Sequence, residues 1–392
     1  MRSAPTLAAV VALALSAPGA HAQAAPRRLV LVPEAAITAG DGPAAAVDVA
    51  DVAIGRDGTV YVAQERGHAV LALFADGRPP RTLGRAGRGP GEFAQGPRAV
   101  GWRGDTLVAA DSYGRRLVGF LGDGRPAFTR AYEGIEKFLP RALLADGRTL
   151  GERLTYSRDI VAGRETVQEL LTAGSPAGPA RTMARLPLRH RDAQVIVGSG
   201  RGRSEVYFTQ PYADADLFDV DPMGRWVVSV AGPAVTGSQR AVFTLSWRSP
   251  DGVVRRTATV AYVPARLHAA AARETRTFYT DMLAKSFTGE PRGRMEALVR
   301  DAIFVPGYYP PVTAVVSGND GSTWVRRGGP GDTVTWMVFD ARGRHVAWVT
   351  APTSVTLHAA TATHAWGVST NADDVPIVTR YALRPRPGRS SR

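Results

Sequence analysis

Short runs of alternating apolar and polar residues recur along the chain, separated by turns rich in Gly and Asp. The clearest stretch, Ile54 to Phe93, reads as strand, tight turn, strand, loop, strand, Asp-Gly turn, strand, and then a glycine-rich corner. An alternation of period two predicts half-buried strands rather than helices. The same grammar opens again at Val47–Ala63, Arg98–Asp111, Arg141–Glu152, Leu217–Val230, Val312–Arg326 and Val355–Thr370, which makes six units. Turns at Asp57-Gly58, Gly104-Asp105, Asp146-Gly147, Met223-Gly224 and Asp320-Gly321 supply residues that tolerate positive φ, as tight hairpins require; the sixth unit has Thr363-His364 instead. A second hairpin follows in most units, at Phe74–Gly77, Phe120–Gly124, Ser249–Gly252 and Phe339–Gly343. Two hairpins per unit give a four-stranded meander, the form of one propeller blade. The predicted fold is therefore all-β, a six-bladed β-propeller.

Several landmarks refine this picture. An aromatic residue and a proline precede the opening strand of several units, as in Phe93 with Pro97 and Phe138 with Pro140, and proline at a strand start loses no ladder bond. The last unit holds three strands, Val355–Thr361, His364–Ser369 and Pro376–Leu383, while a spare strand, Arg28–Ile37, stands at the other end of the chain. That strand is expected to complete the sixth blade and to hide two sheet edges. Thr155–Gly202 is longer than one hairpin needs, and long outer strands in the third blade are expected there. Pro264–Ala302 lacks the strand pattern; from Ala265 it is rich in helix formers, with Phe278, Met282 and Lys285 at helical spacing. A helical insertion over 264–302, between blades four and five, follows.

The first 22 residues carry Arg2, an unbroken apolar run from Leu7 to Leu15, and Ala20-His21-Ala22, the pattern of a secretory signal cleaved near Ala22. A signal peptide over 1–22, a single propeller over 23–384 and a basic, frayed tail over 385–392 complete the expected domain plan. The location expected is periplasmic or secreted, without a membrane span, since no later stretch approaches the ~18 apolar residues a span needs. Cysteine is missing from the chain, so disulfides and thiolate metal sites are excluded. The net charge of +13 comes almost wholly from arginine, as lysine occurs only at positions 137 and 285. The arginines are scattered over turns and strand ends rather than gathered in a stripe, which argues against nucleic acid as a partner.

Gly84–Phe93 (GRAGRGPGEF), the preceding FADGR and the following GDTLVAAD resemble exported bacterial six-bladed propellers related to NHL-repeat proteins. The ending HAWGVSTNADDVPIVTRYAL is similar to the last blade of that group, and the helical insertion before Tyr308-Tyr309-Pro310-Pro311 fits it too. The resemblance implies the propeller fold; among such proteins are lactonases, lyases and quinone-dependent dehydrogenases, and many members that only bind other molecules. Fold does not carry function by itself.

The candidate chemistry is sparse. The glycine-rich corner lacks both the helix that a dinucleotide fingerprint needs and the Gly-Lys-Ser/Thr of a P-loop, so it reads as a crossover between blades. Asp214, Asp216, Asp219 and Asp221 form the best metal candidate, yet in a strand the first two face away from the last two, which leaves Asp214 and Asp216 as a weak pair. Calcium is the ion they would take; the calcium-dependent lactonases that the fold resembles ring their channel with Asn, Asp and Glu, and this chain has only Asn319 and Asn371. No metal and no cofactor is therefore predicted. The histidines show no zinc spacing, and the serine and lysine motifs of covalent catalysis do not occur. What remains is the channel mouth. Arg98 and Arg141 hold the same place in units two and three, Tyr308 and Tyr309 enter unit five equivalently, and His364 opens a strand at a turn. Two guanidiniums and an aromatic at one rim suit an anionic or sugar-like ligand; the bland alternative is that these arginines bridge blades through backbone carbonyls. The function expected is a non-catalytic, monomeric binding or interaction module for a protein, a carbohydrate or a small anionic ligand. Its alternative is a lactonase, lyase or quinone-dependent sugar dehydrogenase with a site at the central channel.

Overall fold

The computed structural model describes residues 25–37, 47–74, 76, 78–188, 192–198, 202–212, 217–232 and 239–386. The leader expected over 1–22, the end of the basic tail, and Asp214 and Asp216 lie outside the described residues. The chain is mostly β and propeller-like. Strand β1 (Arg27–Ile37) is followed by the antiparallel sheet β2 (Asp51–Ile54), β3 (Val60–Gln64), β4 (Ala69–Leu73) and β5 (Arg81–Leu83). The next sheet is β6 (Ala99–Arg103), β7 (Thr106–Asp111), β8 (Arg116–Phe120) and β9 (Pro126–Ala131). A third holds β10 (Phe138–Leu143) and β11 (Thr149–Arg153), then, after the short helix α1 (Ser157–Val161), β12 (Val167–Ala173) and β13 (Ala180–Pro187). A separate hairpin, β14 (Asp192–Val197) and β15 (Ser204–Thr209), precedes the sheet β16 (Leu217–Val220), β17 (Val227–Ala231), β18 (Ala241–Arg248) and β19 (Val254–Tyr262). Helices α2 (Ala269–Ser286) and α3 (Arg292–Ala302) come next, and then β20 (Val312–Ser317), β21 (Thr323–Arg327), β22 (Thr333–Phe339), β23 (His345–Pro352), β24 (Thr356–Ala360), β25 (His364–Thr370) and β26 (Pro376–Pro385).

The opening turns have the conformation their residues predict: Gly58, Gly104, Gly147, Gly224 and Gly321 all have positive φ. At the first of them Asp57 Oδ1 accepts the Thr59 N–H at 3.0 Å, an Asx-type turn. The N-terminal strand β1 pairs antiparallel with β26 from Leu29 to Ile37 and parallel with β23 from Arg27 to Val30. It thereby joins β20–β23 to β24–β26 in one eight-stranded sheet. Glu34 of β1 holds His364, Arg380 and Arg384, each within 3.3 Å, so the seam carries ion pairs as well as its ladder.

The core is divided into layers between consecutive sheets. Phe93, Leu107, Val118 and Phe120 pack on Tyr61, Val70 and Leu83 between the first two. The sequence of layers returns to its start, where Ala359, Trp366 and Val378 meet Val52, Val60 and Leu71. Burying each large apolar side chain of this kind contributes roughly 1.5–3 kcal/mol. The glycine-rich corner links the first two sheets. Asp111, fully buried, accepts N–H groups from Ala94, Gln95 and Gly114, and Phe93 has no exposed surface.

Thr155–Gly202 holds more than the outer strands expected there: β12 and β13, at 7 and 8 residues, are longer than β10 and β11, at 6 and 5, and the surplus forms α1 and opens the hairpin β14–β15. That hairpin packs on the helices, where Val195 and Val197 meet Leu283, Met295, Val299 and Ile303 in a satellite core. Helices α2 and α3 lie within the predicted insertion; Leu283 faces this core, while Phe278 is 64% exposed. Tyr279 Oη donates to the Thr209 carbonyl at 3.0 Å, and Gln210 Nε2 to the Ala302 carbonyl at 3.2 Å, tying the two insertions together. Among the described residues no helix is long and apolar enough to cross a membrane.

Candidate functional site

The opening strands of the sheets stand around a central channel. An opening strand is an edge strand, and its inward N–H groups have no ladder partner. Two aspartates supply acceptors. Asp51 Oδ2 accepts the Val100 N–H at 2.9 Å, and Asp219 Oδ2 accepts the Ser317 N–H at 2.6 Å. Each carboxylate thus reaches from one opening strand to another in the adjoining sheet. A cavity of about 170 Å³ lies among Asp51, Arg98, Arg141 and Asp219. His358 Nδ1 stands 3.6 Å from Asp51 Oδ1.

Asp219 is the electrostatic anomaly of the channel. Burial raises its pKa from 3.8 to about 7; the Ser317 N–H opposes that rise, and the nearby Asp51 charge adds to it. The surface that Asp219 exposes faces the channel cavity, so it lies deep although it is not fully covered. Among the described residues no group of three or more His, Asp or Glu side chains is placed to hold a metal ion.

At one end the channel opens into a cavity of about 210 Å³ that Arg98, Ser112, Tyr113, Arg141, Glu152 and Gln168 help to line. The structure brings Arg98 and Arg141 together here. Arg98 lies 3.5 Å from Glu65 and stacks over the Tyr113 ring, with its Cζ 4.8 Å from the centroid. Arg141 Nε is 2.9 Å from Glu152. The partners of both arginines are carboxylates rather than the backbone carbonyls of the bland alternative. Nearby, Glu169 bridges Arg153 at 2.5 Å and Arg185 at 2.9 Å, and these bonds, Arg153's foremost, hold its pKa below the ordinary carboxylate value. The mouth is polar, charge-balanced and carries one half-exposed aromatic, Tyr113, which is 51% exposed.

At the other end two hydrogen bonds cross the channel. Trp102 N donates to the Pro222 carbonyl at 2.7 Å, and Asn319 Nδ2 to the Ile54 carbonyl at 3.4 Å. These bonds form a septum from β6 to the turn after β16 and from the turn after β20 to the end of β2. Beyond it a second cavity of about 600 Å³ opens on the face of the first-hairpin turns.

The remaining sequence candidates sit elsewhere. Tyr309 packs edge-to-face on Tyr212, with ring centroids 5.6 Å apart, and its N–H bonds to the Ala265 carbonyl at 2.9 Å; burial, Tyr212 and Glu274 raise its pKa. Tyr308 bridges to Arg266. Both tyrosines anchor the helical insertion and do not join the two arginines. His364 lies at the β1 seam, 3.2 Å from Glu34. Asp221, from the acidic cluster, is a turn carboxylate that Arg225 holds at 2.9 and 2.7 Å. Asp51, Tyr113, Glu152 and His358 were missed from the sequence. A signal existed for the first: Asp51 precedes an Asp-Gly hairpin in its opening strand much as Asp219 precedes the turn at Gly224.

No protein-family profile matches the chain, and no curated protein sequence matches it. Its three-dimensional arrangement is similar to that of solved structures at low identity. A member of the DUF4221 family from Bacteroides vulgatus is 9% identical, with a TM-score of 0.44, covering 92% of this chain and 100% of that one. A Bacteroides fragilis protein whose name calls it exported is 11% identical, with a TM-score of 0.44, covering 92% and 96%. The PQQ-bound aldose sugar dehydrogenase of Streptomyces coelicolor is 10% identical, with a TM-score of 0.42, covering 92% and 99%.

Proposed function

We propose that the chain is a six-bladed propeller exported to the periplasm or beyond, and that it serves as a non-catalytic binding module. The blade count takes the eight-stranded sheet as two blades, β20–β23 and β24–β26 with β1, joined along the β1–β23 pairing. Its ligand site is the mouth between the second and third sheets. The observation that carries this reading is the convergence of Arg98 and Arg141 on one cavity beside the exposed ring of Tyr113. Both guanidiniums are balanced by Glu65 and Glu152, so the mouth offers paired donors and acceptors rather than bare positive charge. Such a surface, with an aromatic face, suits a small polyhydroxylated ligand bearing one acid group, a sugar acid in chemical terms. A thermal-shift panel of uronic acids and neutral oligosaccharides tests it, because a ligand that binds only the folded state raises its melting point. The expected result is a rise with a uronic acid that Arg141→Gln removes. Failure of every sugar acid to shift the melting point sinks the proposal.

The enzyme reading is kept for one reason, the raised pKa of Asp219, since a carboxyl protonated near neutrality can serve as a general acid. Its other oxygen is engaged by the Ser317 N–H, which gives the residue a structural role as well.

A further inference from the structure

We infer that the cavity on the opposite face, beyond the septum, is a second ligand site, and that it takes an aromatic carboxylate. At about 600 Å³ it is the roomier of the two ends and falls within the ~300–1,000 Å³ of small-molecule pockets. Its inner wall is the half-buried indole of Trp102, set edge-to-face on Tyr61 with centroids 5.3 Å apart and planes at 84°. Trp102 Nε1 donates to the Ile54 carbonyl at 3.1 Å, and its backbone N–H is fixed in the septum. The ring is therefore held in place before any ligand arrives, which lowers the ordering cost of binding. Pro222 and Met223 complete an apolar wall against which a flat ring can lie.

The charged groups around this wall differ in how firmly they are engaged. Arg225 is held through two nitrogens by Asp221. Asp57 accepts from Thr59 N and Thr59 Oγ1, bonds that hold its pKa below the ordinary value. Among the described residues Arg56 has only the Asp105 pairing at 2.8 Å, with the two side chains 79% and 87% exposed. An ion pair so open to water is worth about 0–1 kcal/mol, so a ligand carboxylate can replace Asp105 at little cost. Arg56 is thus the cation available to a carboxylate, and Trp102 the surface available to its ring. The wall also leaves room at Gly122, where an added Cβ would meet nothing within 4 Å.

The probes are 2-naphthoate and its uncharged counterpart 2-naphthol, titrated into the full chain by calorimetry. The expected outcome is saturable one-to-one binding of 2-naphthoate. Arg56→Gln should weaken it at least fivefold while leaving 2-naphthol unchanged, and Gly122→Phe should abolish it by filling the space. Arg141→Gln, at the other end of the channel, should leave naphthoate binding intact, which separates this site from the sugar-acid mouth. Both Arg56→Gln and Gly122→Phe alter exposed positions, and their melting points provide the check on folding. No saturable binding of 2-naphthoate, or equal binding by the Gly122→Phe or Arg56→Gln protein, overturns the inference.

Discussion

Replacing Asp219 with asparagine isolates the effect of one buried charge. In the unfolded chain this carboxyl ionises near 3.8, while in the folded channel it keeps its proton until about pH 7. Between those values the unfolded state has released a proton that the native state still holds. Stability therefore falls as pH rises through that window, and the loss levels off above about pH 7. A difference of about three pH units corresponds to about 4 kcal/mol; channel water screens part of this, leaving roughly 2–4 kcal/mol at pH 8. Asparagine is nearly isosteric and offers a carbonyl oxygen to the Ser317 N–H, so the bond made at 2.6 Å can survive without the charge. With an unfolding entropy of ~2.1 cal/mol/K per residue, a chain of this size gains a little over 1 °C per kcal/mol. Melting curves of the two proteins should nearly coincide at about pH 3.5, below the unfolded-state value, and by pH 8 the Asp219→Asn protein should melt about 3–5 °C higher. Parallel curves across that range, or a variant less stable at pH 8, would refute the argument that burial rather than bonding dominates at Asp219.

Three further perturbations bear on the scaffold. Deleting 27–37 removes the strand that joins β23 to β26 together with its Glu34 pairs, so the chain should fail to fold or lose its cooperative transition in calorimetry; an unchanged melting point would contradict the closure. Gly96→Ala should cost about 2–4 kcal/mol in denaturant unfolding, because φ is +96° there and a Cβ would stand 1.9 Å from the Glu65 carbonyl oxygen. Gly104→Ala, with φ +60° and nothing within 4 Å, should cost only ~1 kcal/mol.

The strands and opening turns were legible because their signals are local. An Asp-Gly pair between two alternating runs specifies its hairpin within a few residues, and Gly58 and Gly321 adopt the positive φ that their places demand. Arg28–Ile37 could be assigned to the seam because a three-stranded last unit left one edge to fill. The satellite core was not legible. Val195 and Val197 meet Met295 and Val299 from a remote part of the chain, and nothing in either segment specifies the other. The channel fared likewise. Asp219 was read by its neighbours in sequence, whereas its environment is set by Ser317 and Asp51, which belong to other sheets. Tyr308 and Tyr309 had the right spacing for the rim, but the helical insertion draws them to Arg266 and Tyr212.

The bond from Trp102 to the Pro222 carbonyl has a mechanical meaning. A ring whose sheets touch only their neighbours can breathe by parting at any one joint, and its axis can widen without disturbing the far side. A strut across the axis removes that freedom, since β6 cannot move outward unless the turn after β16 follows or the bond breaks. The two faces then share one rigid member. A load applied at either end is felt by the same indole-bearing residue.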